Sequence, residues 1–274
     1  MSGPIPSFAD GPVPYRLPDP GTPNSARIWD YWLGGKNHYA CDRALGDRIL
    51  AAIPRQREHV RANRDFLVRA VEFLVGEAGI RQIVDIGAGL PTSPNVHEVA
   101  RAIAPETRVV YVDNDPVVMA HARALMRAEP PGRVAFVEGD LRDPRGILDG
   151  LGGVLDRGRP VAMLLLAMLM FVDDVDAPPE VLRELMAPLA SGSYLAATHT
   201  TADLDPPAMA KHVEAAAELG LRFVPRTHAQ VTAMFDGLEL VPPGLVPVLK
   251  WRPRGIVPPE SQRVYLYAGV ARQP

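Results

Sequence analysis

From Arg81 to about Thr198 the chain alternates short apolar runs with amphipathic stretches, and this alternation restricts the fold more than any other feature of the sequence. Ile83-Val84-Asp85-Ile86, Val109 to Val112, Val134 to Val137, the run Val161 to Phe171, and Tyr194 to Thr198 have the length and composition of buried strands. Between them helices are expected at about 93–104, from Pro116 to about 128, weakly near 145–151, and at about 178–190. Pro116 stands where a first-turn proline belongs. Strands joined through helical crossovers run parallel, and a parallel sheet needs helices on both faces. The expected fold is therefore α/β and doubly wound.

The flanks follow other rules. Residues 1–23 carry seven prolines and no periodicity, which predicts an extended arm. From Asn24 a helix puts Ile28, Trp29, Trp32 and Leu33 on one face until Gly34-Gly35 breaks it; further helices are expected at about 42–52 and 58–76. The organisation read from these shifts is an arm at 1–23, a helical lid or cap at 24–78 and a ligand-binding domain at 79–274. After Thr198, helices near 206–219 and 227–236 precede strands at Leu238 to Val241, Leu245 to Trp251 and Val264 to Val270, with an antiparallel pair expected at the sheet edge.

Composition excludes several partners. A net charge of -3 supplies no positive field for nucleic acid, and one cysteine, Cys41, permits neither an intrachain disulfide nor a thiolate metal cluster. The first residues lack the pattern of a signal peptide, and the longest apolar run is too short for a membrane span. A cytoplasmic protein without nucleic-acid or membrane partners is expected, its oligomeric state open.

The most informative stretch is IVDIGAGLPT, residues 83–92. In open α/β sheets ligands bind beyond the carboxyl ends of the strands, and Gly87 and Gly89 permit a sharp turn with no side chain between backbone and ligand. The helix that follows is expected to aim free N–H groups at the site. A Gly-x-Gly turn alone serves dinucleotides equally well, so Asp85 decides. A carboxylate two residues before the first glycine repels pyrophosphate but attracts a ligand carrying ammonium and sulfonium charge. At about 4 Å and intermediate dielectric the attraction is on the order of 4 kcal/mol before desolvation. The sign of that charge favours S-adenosylmethionine over NAD. Asp113, ending the second strand, is positioned to accept the ribose hydroxyls. Asp140, in VEGDL after the third strand, suits the adenine amino group, with the Leu141 N–H near the ring.

At these residues the chain resembles the class I S-adenosylmethionine-dependent methyltransferases. It is similar, more narrowly, to a family of methyltransferase-like proteins of unassigned substrate marked by an N-terminal block, here NSARIWDYWLGGKNHYACDRAL, and by QIVDIGAGLPTSPNVHEVA followed by VVYVDNDPVVMAHARAL. The resemblance covers roughly residues 23–272. It implies a Rossmann-like, seven-stranded, mostly parallel sheet ending in an antiparallel pair, with S-adenosyl-L-methionine as ligand. Carried over, Asp85, Gly87 and Gly89 would lie along the methionine moiety, Asp113 at the ribose and Asp140 at the adenine, with Leu90, Thr92, Asn114, Leu141 and Ala167 completing the cofactor set. Two features depart from the pattern: Leu90-Pro91-Thr92 replaces the third glycine, and Met170 stands where relatives often carry histidine.

The end of the fourth strand, which normally faces the transferring methyl, reads LLLAMLMFVDD. It has no Asn-Pro-Pro-Tyr-like segment, and Met168, Met170 and Phe171 give an apolar, soft surface suited to a small acceptor. Polar and aromatic groups cluster instead in the N-terminal block: Asn24, Arg27, Tyr31, Asn37 and Tyr39, with Asn63 and Arg64 beneath. These are expected to close over the cofactor and contact the acceptor. Tyr31 and His199 are weak candidates for proton transfer, and no metal motif appears. The leading expectation is a methyltransferase acting in line on an unidentified small molecule. The alternatives are a regulatory protein that binds S-adenosylmethionine without transferring methyl and, disfavoured by Asp85, an NAD-dependent oxidoreductase.

Overall fold

The computed structural model describes residues 19–125, 134–218, 220–257 and 264–274. The proline-rich arm up to residue 18 and the expected end of the 116–128 helix lie outside the described residues. At the centre is one sheet. Strands β1 (Gln82–Ile86), β2 (Arg108–Asp113), β3 (Val134–Glu138), β4 (Ala162–Leu166) and β5 (Tyr194–Thr200) run parallel in the order 3-2-1-4-5. Two two-residue strands, β6 (Glu239–Leu240) and β7 (Val246–Pro247), precede β8 (Leu266–Arg272), which pairs antiparallel with β5 along its whole length. Both short strands pair with β8 on its other edge. They are one strand position interrupted at Pro242-Pro243-Gly244, so the sheet has eight assigned strands in seven positions, with antiparallel pairing at its C-terminal end.

Side chains alternate across this sheet with the period of two that strands impose. Ile83, Val109, Tyr111, Leu164, Ala196 and Val270 bury on one face with Phe66, Val71 and Leu74. Val84, Val110, Met163, Leu165 and Leu195 bury on the other with Ile147, Leu151, Leu182 and Leu185. The first face is covered by α3 (Gln56–Glu72) and α4 (Val96–Ile103), the second by α6 (Pro144–Leu151) and α7 (Pro178–Met186), while α5 (Pro116–Leu125) follows β2. Each fully buried Val, Leu or Ile contributes about 1.5–3 kcal/mol. Asp85 shares the parity of Ile83 and therefore looks towards α3, and this places a carboxylate between the sheet and that helix.

A third, smaller core joins the N-terminal helices α1 (Ser25–Leu33) and α2 (Ala40–Ala52) to α3 through Ile28, Trp32, Leu45, Ile49 and Val60. Gly34, at φ 86°, ends α1 in the left-handed conformation that favours glycine. The corner between α1 and α2 is tied by Asp42, which is fully buried. Its carboxylate accepts from the Asn24 N–H at 2.9 Å, the Tyr39 N–H at 2.8 Å and Arg27 Nε at 2.7 Å. Later in the chain α8 (Pro206–Ala217) packs on α2, and α9 (His228–Ala233) leads into the sheet edge.

Three expectations about elements need correction. The apolar run after β4 is not strand throughout: Ala167 has φ 57°, the strand stops at Leu166, and Leu169–Phe171 forms a 3₁₀ turn. Buried strand and buried turn look alike in an apolar sequence. The helix expected from about 93 begins at Val96, and the expected strand Leu245 to Trp251 is β7 followed by a 3₁₀ turn at Val248–Lys250. That turn delivers Trp251, fully buried, edge-on to Phe66 at 5.2 Å.

Replacing Asp42 with alanine removes the partner of a buried guanidinium and two backbone donors' acceptor. We expect a loss of about 3–5 kcal/mol, read as a lower denaturant midpoint. The paired change Arg27→Met with Asp42→Leu is expected to recover most of it, since no buried charge is then left alone.

Candidate functional site

β1, β2 and β4 end side by side beneath α1 and α3, and a cavity of about 310 Å³ opens there. The turn after β1 is shaped by two glycines in left-handed conformation, Gly87 at φ 76° and Gly89 at φ 62°. The Gly87 and Ala88 N–H groups both donate to Val112 O, so the turn is anchored to the neighbouring strand. A β-carbon at Gly87 would stand 2.0 Å from Met168 Sδ, so at this positive φ any larger residue is strained and the Met168 side chain would have to move.

Acidic groups outnumber basic ones in this cavity. Asp30, Asp85, Asp113 and Asp115 contribute four carboxylates to its wall, and Arg64 and Arg222 two guanidinium groups. Asp85 is 7% exposed, and burial, reinforced by Asp113, raises its carboxyl to about 7 despite the opposing charge of Arg64. Arg64 is itself pushed down by burial; it donates to Thr92 O at 2.6 Å and to Pro94 O. Asp113 is raised by burial too, and its carboxylate receives the Gly89 N–H at 2.9 Å and the Asp115 N–H at 3.0 Å. A carboxylate left with a neutralising role in such surroundings favours a cation and opposes a phosphate.

The end of β4 is held from below. Asn63 on α3 accepts from the Thr198 hydroxyl at 2.5 Å, and the same hydroxyl oxygen accepts from the Ala167 N–H at 2.8 Å. This relay fixes the left-handed residue from which Met168 projects. Across the mouth, Asn24 Nδ2 donates to Asp115 Oδ2 at 2.8 Å, linking the start of α1 to the loop after β2.

Of the residues singled out in the sequence, Asp85, Gly87, Gly89, Leu90, Thr92, Asp113, Asn114, Ala167, Asn24, Asn63 and Arg64 line this cavity. Others do not. Asp140 is drawn to Arg142, which with Asn114 Nδ2 at 3.0 Å holds its carboxyl well below the usual range. Leu141 is buried in the core of the opposite face. Arg27 is consumed by Asp42, Tyr39 stacks under the Arg27 guanidinium at 4.9 Å, and Asn37 contributes only a backbone N–H to Asp30 Oδ2 at 2.7 Å. Neither proton-transfer candidate lies in the wall. Tyr31 donates its hydroxyl to Asp47 at 2.6 Å. His199 is fully buried, donates from Nδ1 to Thr200 O at 2.7 Å and accepts at Nε2 from Arg226 at 3.0 Å. Burial lowers it to about 4, so it is neutral and structurally committed.

The helix after the glycine turn also behaves differently from expectation. Asn95 and Glu98 form a capping box at the start of α4, and the His97 N–H donates to the Tyr111 hydroxyl at 3.1 Å. The His97 and Glu98 donors are therefore engaged, and no residue of α4 lines the cavity. Sequence reasoning missed Ser25, Asp30, Leu33, Leu67, Leu221 and Arg222 as wall residues. Ser25, Trp29 and Leu33 repeat at intervals of four on α1, a stripe beside the apolar face of Ile28 and Trp32 that helical periodicity could have revealed. Among the described residues no group of His, Cys, Asp and Glu is arranged to hold a metal, and no helix is long and apolar enough to cross a membrane.

A sequence family described as S-adenosyl methyltransferase matches residues 16–274. A DUF574 family protein from Streptomyces avermitilis has a similar crystal structure, with 45% sequence identity over 92% of this chain and 98% of that one and a TM-score of 0.87. A putative methyltransferase from Thermobifida fusca is 39% identical over 92% of this chain and 96% of that one, with a TM-score of 0.86. No curated protein sequence matches. The charge of the cavity, the strand order that builds it and these similarities agree: the chain belongs to the S-adenosyl methyltransferase family and takes S-adenosylmethionine as its methyl donor.

Proposed function

We propose that this cavity holds S-adenosylmethionine with its amino-acid end between Asp85 and Arg64 and its ribose at Asp113, and that the protein transfers the methyl group to a small, uncharged acceptor at the end of β4. Asp85 is the observation that carries the reading. A carboxyl buried on the α3 side of the sheet, beside the half-buried Arg64 guanidinium, matches the ammonium and carboxylate of an amino acid. Four acids against two bases in the wall suit a ligand with an additional sulfonium charge and disfavour pyrophosphate.

The bound donor supplies an electrophilic methyl on a cationic sulfur, a centre that needs no metal and leaves as a neutral thioether. What the chain supplies is position. Asn63, through Thr198, holds Ala167 and thereby Met168; Gly87 leaves room for that side chain. Alignment of two reactants accounts for roughly 7–11 kcal/mol of barrier lowering, whereas proton transfer adds typically ~10²–10⁴-fold. Methyl transfer can thus run on geometry, with the acceptor's proton released to water. Nothing in the wall favours the binding-only alternative.

Two outcomes test the reading. The raised Asp85 carboxyl is mostly protonated below pH 7 and ionised above it, so affinity for S-adenosylmethionine should rise from pH 5.5 to pH 8, with proton release on binding in titration calorimetry. Asp85→Asn should flatten that slope and weaken binding at pH 8 by about 10- to 150-fold, the worth of one hydrogen bond to a charged group. The same change should stabilise the ligand-free protein above pH 7, by at most about 4 kcal/mol, because a group whose carboxyl is raised on folding loses stability as pH climbs through its folded value.

Gly87→Ala should lower cofactor affinity, and the added Met168→Ala should restore part of it. A coupling of about 0.5–3 kcal/mol in this double-mutant cycle is expected for groups in contact; strict additivity would show that the clash with Met168 is not the cause.

A further inference from the structure

Beside the cofactor cavity lies a recess of about 40 Å³ with a different chemistry. The two spaces share Ser25, Trp29, Phe171 and Leu221 in their walls, so the recess adjoins the cavity that Leu166, Ala167 and Met168 line at the end of β4. Among the described residues no Asp, Glu, Lys or Arg lines the recess, in contrast to the six ionisable groups of its neighbour. Its polar wall groups, Ser25, Gln56, Thr200 and His212, are all uncharged, since burial lowers the His212 imidazole to about 3. His212 Nδ1 is buried without a hydrogen-bond partner.

The rest of the wall is aromatic or aliphatic. Phe223 stacks on His212 with ring centroids 4.1 Å apart and an interplanar angle of 19°, and meets Phe171 edge-on at 6.0 Å. Aromatic edges and faces arranged in this way complement a further ring. The size bounds what enters. At about 10–15 Å³ per water-sized probe, the recess holds the equivalent of about three or four waters, room for one ring and too little for a fused pair.

We propose that this recess is the acceptor subsite and that it selects a single uncharged aromatic ring bearing a hydroxyl or amino group. The proposal rests on the cofactor assignment above. In the reaction it implies, a lone pair on the ring substituent forms a bond to the methyl carbon while the carbon–sulfur bond breaks with its electron pair passing to sulfur. The substituent then gives up its proton to water. Trp29 and Phe171, common to both walls, stand where the two spaces adjoin.

The experiment uses the full chain saturated with S-adenosylhomocysteine and measures binding of phenol, benzoate and indole by ligand-observed NMR and calorimetry. Phenol should bind at least about tenfold more tightly than benzoate or indole, a difference of about 1.4 kcal/mol. Ala216→Leu, which fills the recess from α8 without touching the cofactor cavity, should weaken phenol at least about tenfold while leaving S-adenosylhomocysteine affinity within about twofold. Phe223→Ala is the complementary variant: it should admit indole, and it decides the matter if Ala216→Leu fails to fold. Equal binding of phenol to wild type and Ala216→Leu, or benzoate binding as well as phenol, overturns the proposal. If S-adenosylhomocysteine itself does not bind the wild-type chain, the cofactor assignment fails; if it binds and phenol does not, only the acceptor proposal fails.

Discussion

A carboxylate buried at the end of a central strand is expensive, and the arrangement around Asp85 is organised by that cost. Ionised, the group needs compensation; neutral, it wastes a buried polar site. Arg64 compensates in part, and yet burial still raises the carboxyl to about 7. The Asp85 charge is therefore only partly compensated by the protein, and in the proposed function the ammonium of the donor would complete the compensation. A purely structural ion pair would look different, as Arg27 and Asp42 do. There the carboxylate carries three donors and sits fully buried, and nothing is left over for a ligand.

These two acid–base pairs divide the work of the N-terminal half. The Asp42 knot fixes the corner of α1 and α2, which fixes the direction of α1, which in turn sets Ser25, Trp29 and Leu33 against the cavity. Asn24 closes the circuit, capping α1 with its carbonyl oxygen and reaching Asp115 with its amide. Removing the knot would therefore disturb the wall without touching any ligand-contacting atom. It explains why the polar residues of the N-terminal block are so concentrated and why most of them face each other and not the cavity.

The parallel sheet, its order of helices and the acids at the ends of β1 and β2 were legible in the sequence because each is a local signal: an apolar run, a period, a turn glycine. What escaped depended on side-chain contacts, some local and some between distant segments, that no period or run announces. Asp140 and Asp113 look equivalent at successive strand ends, but Arg142, two residues further on, claims Asp140. His199 closes a strand as a catalytic histidine might, but Arg226, from beyond α8, occupies its Nε2. The donors of α4 were expected to be free, and the capping box from Asn95 to Glu98 together with the Tyr111 hydroxyl engages those of His97 and Glu98. The left-handed Ala167 had no signal at all, since its neighbours read as uninterrupted strand.

The contrast between the two adjoining spaces carries a physical consequence for specificity. A charged acceptor entering the recess would surrender hydration to a wall that offers no counter-ion, a penalty of several kcal/mol for an unpaired ion. The same acceptor in the larger cavity would meet a surplus of carboxylates and compete with the donor's own charge. An uncharged ring avoids both costs and gains dispersion from Phe171, Phe223 and Trp29. In the proposed arrangement, partition by charge would orient the two reactants without a dedicated residue for each: the cation where the acids are, the ring in the uncharged recess, and the methyl group at the boundary that Trp29 and Phe171 share.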